Sequence, residues 1–247
     1  MMKQLITAVV LLGYCLRVFA IDETESLRQR SQQKAQYTNL SLDLSGKGGN
    51  SETENFEFGL YHSRRHEQHF GFIMATREYA TSFDVESANN AFVHLRYNYY
   101  FAEHDSIEVF AQTNEDNFRS LESRKLVGLS YRHEITQAQA WGVGLFTEHE
   151  DYLVQNKAQT FEQVRLNLYW VYAKQISPTS FIANTFYYQP NVETTSDFRA
   201  YNKLSIKTAI TDRLYMSFGL LAEHDSRPVL DIEKTDYSYN AGFEFEF

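Results

Sequence analysis

Cysteine is almost missing from this chain. The single one, Cys15, stands within the first twenty residues, so no disulfide framework holds the remainder together. Proline is scarce too, three in 247 residues, which excludes a proline-rich linker and leaves few forced breaks in regular structure. Beyond residue 20 no apolar run approaches the roughly 20 residues that a membrane-spanning helix needs. Nor is there a basic excess. Lys and Arg number 23 against 32 Asp and Glu, a net charge of −9, and that balance argues against nucleic acid as a partner.

An export signal is present. Met1-Met2-Lys3 is followed by an apolar run from Leu5 to Leu16 and by Val18-Phe19-Ala20, the layout of a secretory signal peptide (1–20) cleaved after Ala20. Tyr14 stands where lipoprotein processing needs a small residue, so Cys15 reads as part of the discarded signal. Removing Lys3 and Arg17 with it takes the net charge from −9 to −11. Residues 21–36 are polar and read as a periplasmic leader, frayed or weakly helical, with little to bury.

Aromatic residues are abundant, 17 Tyr and 19 Phe, and they recur at every second position. The last stretch is the clearest. Tyr237, Tyr239, Ala241, Phe243, Phe245 and Phe247 take one face; Ser238, Asn240, Gly242, Glu244 and Glu246 take the other. Period two is a β-strand with one apolar and one polar face. A closing strand with aromatics at alternate positions and a C-terminal Phe resembles the strand that the barrel-assembly machinery reads in bacterial outer-membrane barrels. Tyr239, Phe243, Phe245 and Phe247 would carry that assembly signal.

The same alternation runs through residues 37–247. Thr38, Leu40, Leu42 and Leu44 share a face, as do Phe56, Phe58 and Leu60, and then Phe70, Phe72 and Met74. Val93, Leu95, Tyr97, Tyr99 and Phe101 oppose His94, Arg96 and Asn98; Val164, Leu166, Leu168, Trp170 and Tyr172 oppose Arg165, Asn167 and Tyr169. About twelve strands follow from this pattern, an even number suited to an antiparallel transmembrane barrel. Connections near 64–68, 103–105, 136–139, 175–179 and 211–213 read as short turns. Those near 81–90, 115–122, 151–160, 189–197 and 225–234 read as longer loops. The expected fold is all-β, an outer-membrane-type antiparallel β-barrel over 37–247, since only a closed barrel satisfies strand backbones in lipid.

Several stretches together resemble a known family. They are Leu44-Ser-Gly-Lys-Gly-Gly-Asn50, Arg96-Tyr-Asn-Tyr-Tyr-Phe101, Asn114-Glu-Asp-Asn-Phe-Arg-Ser120, Leu126-Val-Gly-Leu-Ser-Tyr-Arg132, Ser196-Asp-Phe-Arg199, Glu223-His-Asp-Ser-Arg-Pro228 and Lys234-Thr-Asp236. In this order they are similar to the bacterial domain of unknown function 481, whose best-known members are called salt-induced outer-membrane proteins. The resemblance implies an outer-membrane barrel of a Gram-negative cell and a connection to salt stress. It brings no activity, ligand, cofactor or catalytic residue.

Three constellations bear on chemistry. Glu103-His-Asp105, Glu148-His-Glu150 and Glu223-His-Asp225 pair carboxylates with imidazole as metal sites do, but strand neighbours point to opposite faces and the default is polar strand ends. His62-Ser63 invites comparison with lipid-modifying barrel enzymes, acyl hydrolases or transferases. Adjacent residues on a strand point apart, so this pair lacks the geometry of a base and its nucleophile. Third, if the apolar stripe faces lipid, the lumen receives Arg77, Arg96, Arg132, Arg165, Arg199, Lys203 and Lys207. It also receives Glu57, Glu108, Glu148, Glu150, Glu223, Asp225, Glu244 and Glu246. The near balance of signs fits either a lumen closed by salt bridges or a narrow channel with a transverse field. The expected function is non-enzymatic: a small-solute channel or a stress-related structural barrel. Its partners are then outer-membrane lipid and the assembly machinery, with no cofactor and no metal.

Overall fold

The structure, a computed structural model, describes residues 25–32, 34–47, 53–117, 120–211, 214–229 and 233–245. One helix, α1 (Glu25–Gln32), precedes twelve strands. These are β1 (Gln36–Lys47), β2 (Thr53–His66), β3 (His69–Ser82), β4 (Val85–Tyr100), β5 (Asp105–Asp116) and β6 (Leu121–Thr136). They continue as β7 (Gln139–Val154), β8 (Lys157–Gln175), β9 (Ser180–Pro190), β10 (Phe198–Ala209), β11 (Leu214–Asp225) and β12 (Thr235–Phe245). Each pairs antiparallel with the next, giving one curled sheet in the order β1 to β12. No ladder between β12 and β1 occurs among the described residues, so these two strands are the edges of the curl.

Alternation sets which face each residue takes. On β4, Phe92, His94, Arg96, Asn98 and Tyr100 are buried on the concave side while Leu95, Tyr97 and Tyr99 are exposed on the convex side. On β8 the buried set is Arg165, Asn167, Tyr169, Val171 and Ala173, and the convex set includes Val164 and Trp170. The exposed belt continues through Val109, Val127, Leu129, Val143, Leu145, Phe186, Phe218 and Leu220. Surface of that kind is stable only against hydrocarbon or another apolar surface. At the end of the sheet bearing the turn at 137–138, the Tyr131 and Trp141 rings meet edge to face at 5.6 Å, and Trp170 stacks on Tyr172 at 6.1 Å. Amphipathic rings gathered at one height are what an interfacial girdle requires.

The connections differ from expectation on one side. The short turns are present: Glu67-Gln68, 101–104, 137–138, 176–179 and 210–213. Two of the expected long loops are absent. β3 runs on to Ser82 and β4 starts at Val85, with Phe83 and Asp84 both at positive φ; β7 and β8 meet through Gln155 and Asn156, again both at positive φ. Two central residues with positive φ make the turn whose twist matches a hairpin. Neither pair contains glycine; Asp84 and Asn156, residue types that tolerate positive φ, are the only turn signals there. β8 in particular, at 19 residues, is far longer than the 9–11 that a tilted strand needs to cross a bilayer. The β7–β8 hairpin therefore projects beyond the apolar belt, where His149, Asp151, Thr160 and Glu162 replace Val and Leu on its outer face.

Two side assignments are corrected. Phe70, Phe72 and Met74 lie on the concave face, packed with Tyr61, Phe92 and Tyr100 into an internal apolar cluster. Arg77 lies on the convex face instead of the lumen, since it registers beside the outward Phe58 and hydrogen-bonds Asn89. Within the polar leader, expected to be frayed or weakly helical with little to bury, residues 25–32 are helical and Glu25, Arg28 and Ser31 are buried. Its helix sits inside the curl, in contact with β2, β8 and β9, and Leu27 packs against the Phe70 cluster.

Candidate functional site

The concave face carries two layers of buried charge. The first lies toward the end with the short turns and is built around α1. Glu25, Arg28 and Ser31 recur at intervals of three, which places them along one side of the helix. All three are fully buried. Arg28 Nη1 donates to Glu108 Oε1 of β5 at 2.7 Å and lies 3.4 Å from Glu25 Oε1; its Nη2 donates to the Tyr100 hydroxyl at 3.2 Å. Glu108 also accepts from Asn98 at 2.6 Å and from the Tyr169 hydroxyl at 2.5 Å. Glu25 faces Arg96 of β4 at 3.5 Å and Arg132 of β6 at 3.2 Å. The helix is anchored at its other end by Ser31 against the Tyr61 hydroxyl at 3.0 Å, and by Gln32 donating to Tyr100 at 2.9 Å.

Desolvating a single charge costs several kcal/mol, so groups of this kind persist only in compensating sets. Here three guanidiniums meet two fully buried carboxylates, with Glu134 3.6 Å from Arg132 at the rim. Aromatic faces complete the packing: Arg96 lies over Phe72 and Phe110 at 5.9 and 5.4 Å, and Arg132 over Tyr169 at 5.8 Å.

The second layer lies toward the opposite end, without helix residues. Glu148 of β7 takes Arg124 at 2.7 Å, Arg165 at 2.5 Å and Arg199 at 2.9 Å. Glu150 takes Arg124 and Arg199, Arg165 reaches Asp197 at 3.0 Å, and Arg199 reaches Asp225 at 2.9 Å. Arg199 thereby links β10 to β11 beside it and to β7 opposite. It also joins the second and third of the carboxylate–histidine tripeptides, while His149 and His224 point away from the lumen to Glu162 and Thr235. Glu223 is buried on the concave face. Lys203 and Lys207 register on that face of β10, with Lys207 over the Tyr215 ring at 4.3 Å. Among the described residues no group of three or more His, Cys, Asp or Glu is placed to hold a metal ion.

His62 and Ser63 do not meet. His62 bonds Thr38 on the convex side at 2.8 Å, and Ser63 is buried on the concave side. Tyr239 is exposed on the convex face of β12. The side chains of Phe243, Glu244 and Phe245, and all of Glu246 and Phe247, lie outside the described residues, as do residues 1–24.

Residues 40–247 match the family described as "Protein of unknown function, DUF481". The chain belongs to the DUF481 family. A comparison with curated proteins finds no match. Among solved structures, the NanC porin aligns over 85% of this chain and 99% of its own with a TM-score of 0.50 at 13% identity. The KdgM porin aligns over 86% and 98% with a TM-score of 0.42 at 14% identity. At such identity the NanC likeness speaks for the fold alone, a curled antiparallel barrel-type sheet of twelve strands. Helix α1 precedes the first residue of the DUF481 match, so the helix is outside the matched span while its partners Arg96, Glu108 and Arg132 are inside it.

The helix partners Glu25 and Arg28 were absent from the residues singled out in the sequence, although their i, i+3 spacing with Ser31 was a readable signal. Arg124 was missed as well. It lies in phase with Leu126, Gly128, Ser130 and Arg132 on the concave face, the bulge between Leu121 and Ser123 coming before it, so alternation counted back from Val127 was a readable signal for it.

Proposed function

We propose that this DUF481 protein is a non-enzymatic β-barrel of the bacterial outer membrane, and that it forms a narrow channel for small solutes held closed at rest. The observation that carries this reading is the burial of α1 inside the curl, with Glu25 and Arg28 enclosed by Arg96, Glu108 and Arg132. A purely structural barrel has no need of a separate element in its lumen; a regulated pore does. The porin fold of NanC supports a channel, the exposed apolar belt supports lipid as the surrounding medium, and the signal-like pattern of residues 1–20 supports export. The paired second layer around Glu148 favours the other reading, a barrel whose lumen is permanently filled and whose role under salt stress is mechanical.

Single-channel recording separates the two. Residues 21–247, refolded into a planar bilayer at two salt concentrations, should show brief discrete openings on a closed baseline. Complete silence from protein with verified heat-modifiable migration would remove the channel reading and leave the structural one. Lipase or acyl-transfer activity that disappears in Ser63→Ala would instead support the lipid-modifying alternative.

A further inference from the structure

The first charge layer reads differently if the helix is removed in thought. α1 takes away one carboxylate, Glu25, and one guanidinium, Arg28. The wall that remains has Arg96 and Arg132 facing the vacated position. Glu108 is already engaged by Asn98 and Tyr169, and Glu134 stands at the rim. We propose that this wall is a binding site for a small organic monocarboxylate, and that Glu25 occupies it as a tethered competitor.

Three observations support the assignment. The charges are in place: Glu25 lies within ion-pair distance of both wall arginines, at 3.5 and 3.2 Å, so a carboxylate already sits where the solute's would. Its fit is also poor. The Nε and Nη1 atoms of Arg96 and of Arg132, together with Glu25 Oε2, are buried without a hydrogen-bond partner of acceptable geometry. Guanidinium and carboxylate prefer two parallel N–H···O bonds, and a carboxylate free of the helix backbone can take up that bidentate arrangement. Third, the guanidiniums are held by aromatic faces, Phe72 and Phe110 for Arg96 and Tyr169 for Arg132, which keep their planes fixed when the helix departs. Fixed donors lower the ordering cost of binding. The solute would be one carboxylate on a compact polar body. A strong polyanion is disfavoured by Glu108 beside the site and by the balanced charges of the second layer.

The inference rests on the closed-channel reading for its purpose, but its test does not require current. Equilibrium dialysis in detergent micelles, with radiolabelled glucuronate as probe and glucose as its neutral counterpart, measures binding directly. A short tether presents Glu25 at an effective concentration of millimolar order. Glu25→Gln in the full mature chain should therefore bind glucuronate at least about tenfold more tightly than wild type. Glu25→Asp should stay weak, and Arg96→Gln added to Glu25→Gln should abolish binding. Glucose should bind none of them. The unaltered protein gives a second readout: glucuronate, unlike glucose, should accelerate tryptic cleavage after Arg30 by displacing the helix. Equal affinity of wild type and Glu25→Gln, equal binding of glucose, or cleavage indifferent to glucuronate would overturn the proposal. A silent bilayer would leave it intact, just as failed binding would leave conductance intact.

Discussion

Replacing Arg28 with Met should release the leader helix while leaving the sheet folded. The substitution keeps most of the side-chain volume over Phe70 and removes the group that ties α1 to the wall. Three contacts are lost: Glu108 at 2.7 Å, Tyr100 at 3.2 Å and Glu25 at 3.4 Å. Breaking a fully buried ion pair costs about 3–5 kcal/mol. The lower end applies here, because Glu108 keeps Asn98, Tyr169 and the nearby Arg96. About 3 kcal/mol is roughly a 100-fold loss in the seated population, at 1.4 kcal/mol per factor of ten. What remains is Ser31 on Tyr61, Gln32 on Tyr100 and the Leu27 contact. Eight residues are too few to stay helical in water unaided. Trypsin reads the result, since cleavage after Arg30 needs an unseated helix and tracks its population when reclosing is fast. The rate should rise by two orders of magnitude with heat-modifiable migration unchanged. Equal cleavage rates in wild type and Arg28→Met would refute the reasoning.

Other perturbations probe the wall. Glu148→Gln leaves Arg124, Arg165 and Arg199 around a neutral group, so the reversal potential of open events in a salt gradient should move toward the chloride value. Gly142→Ala places a Cβ within the Tyr169 ring, the ring whose hydroxyl holds Glu108; overpacking of this kind costs about 1–3 kcal/mol, seen as a lower temperature of heat-modifiable unfolding. Edge strands with unpaired backbone groups are untenable in lipid, so β1 and β12 should meet in the membrane. Pairwise cysteines at the convex positions Thr38 or Leu40 and Tyr237 or Tyr239, in a Cys15→Ser background, should then form a disulfide for at least one pair, and none doing so would mean that the curl stays open.

The strands were legible because alternation is a local property: the stretches at 38–44, 56–60, 70–74 and 164–172 fall inside observed strands, and that at 93–101 overruns β4 by one residue. What alternation cannot say is which side of the sheet is water, lipid or core. Phe70, Phe72 and Met74 look like lipid contacts until a helix is known to cover them from within. Arg77 looks like a lumen charge until the register beside Phe58 is fixed. The tight turns at Phe83-Asp84 and Gln155-Asn156 were hard to read for another reason: positive φ is adopted there without glycine, and a single Asp or Asn in a polar stretch does not separate a two-residue turn from a longer loop. Most of the individual wall charges were foreseeable from the polar stripe. Their organisation into two layers was not, since it depends on residues far apart in sequence, such as Arg199 with Glu148 and Arg28 with Glu108. The leader misled through composition. A polar segment suggests little to bury, yet its Glu25 and Arg28 are paired inside the curl, where burial is tolerable because each meets opposite charges.

The seating of α1 can be measured at one atom. Ser31 is fully buried with its hydroxyl on Tyr61, and cysteine is close to it in size. A Ser31→Cys chain in the Cys15→Ser background carries a single thiol, which can be challenged with a membrane-impermeant maleimide after refolding into vesicles. Protection that disappears only on denaturation, or on introducing Arg28→Met, is the expected result. Labelling of the folded protein as fast as that of the denatured chain would mean that the helix does not occupy the lumen.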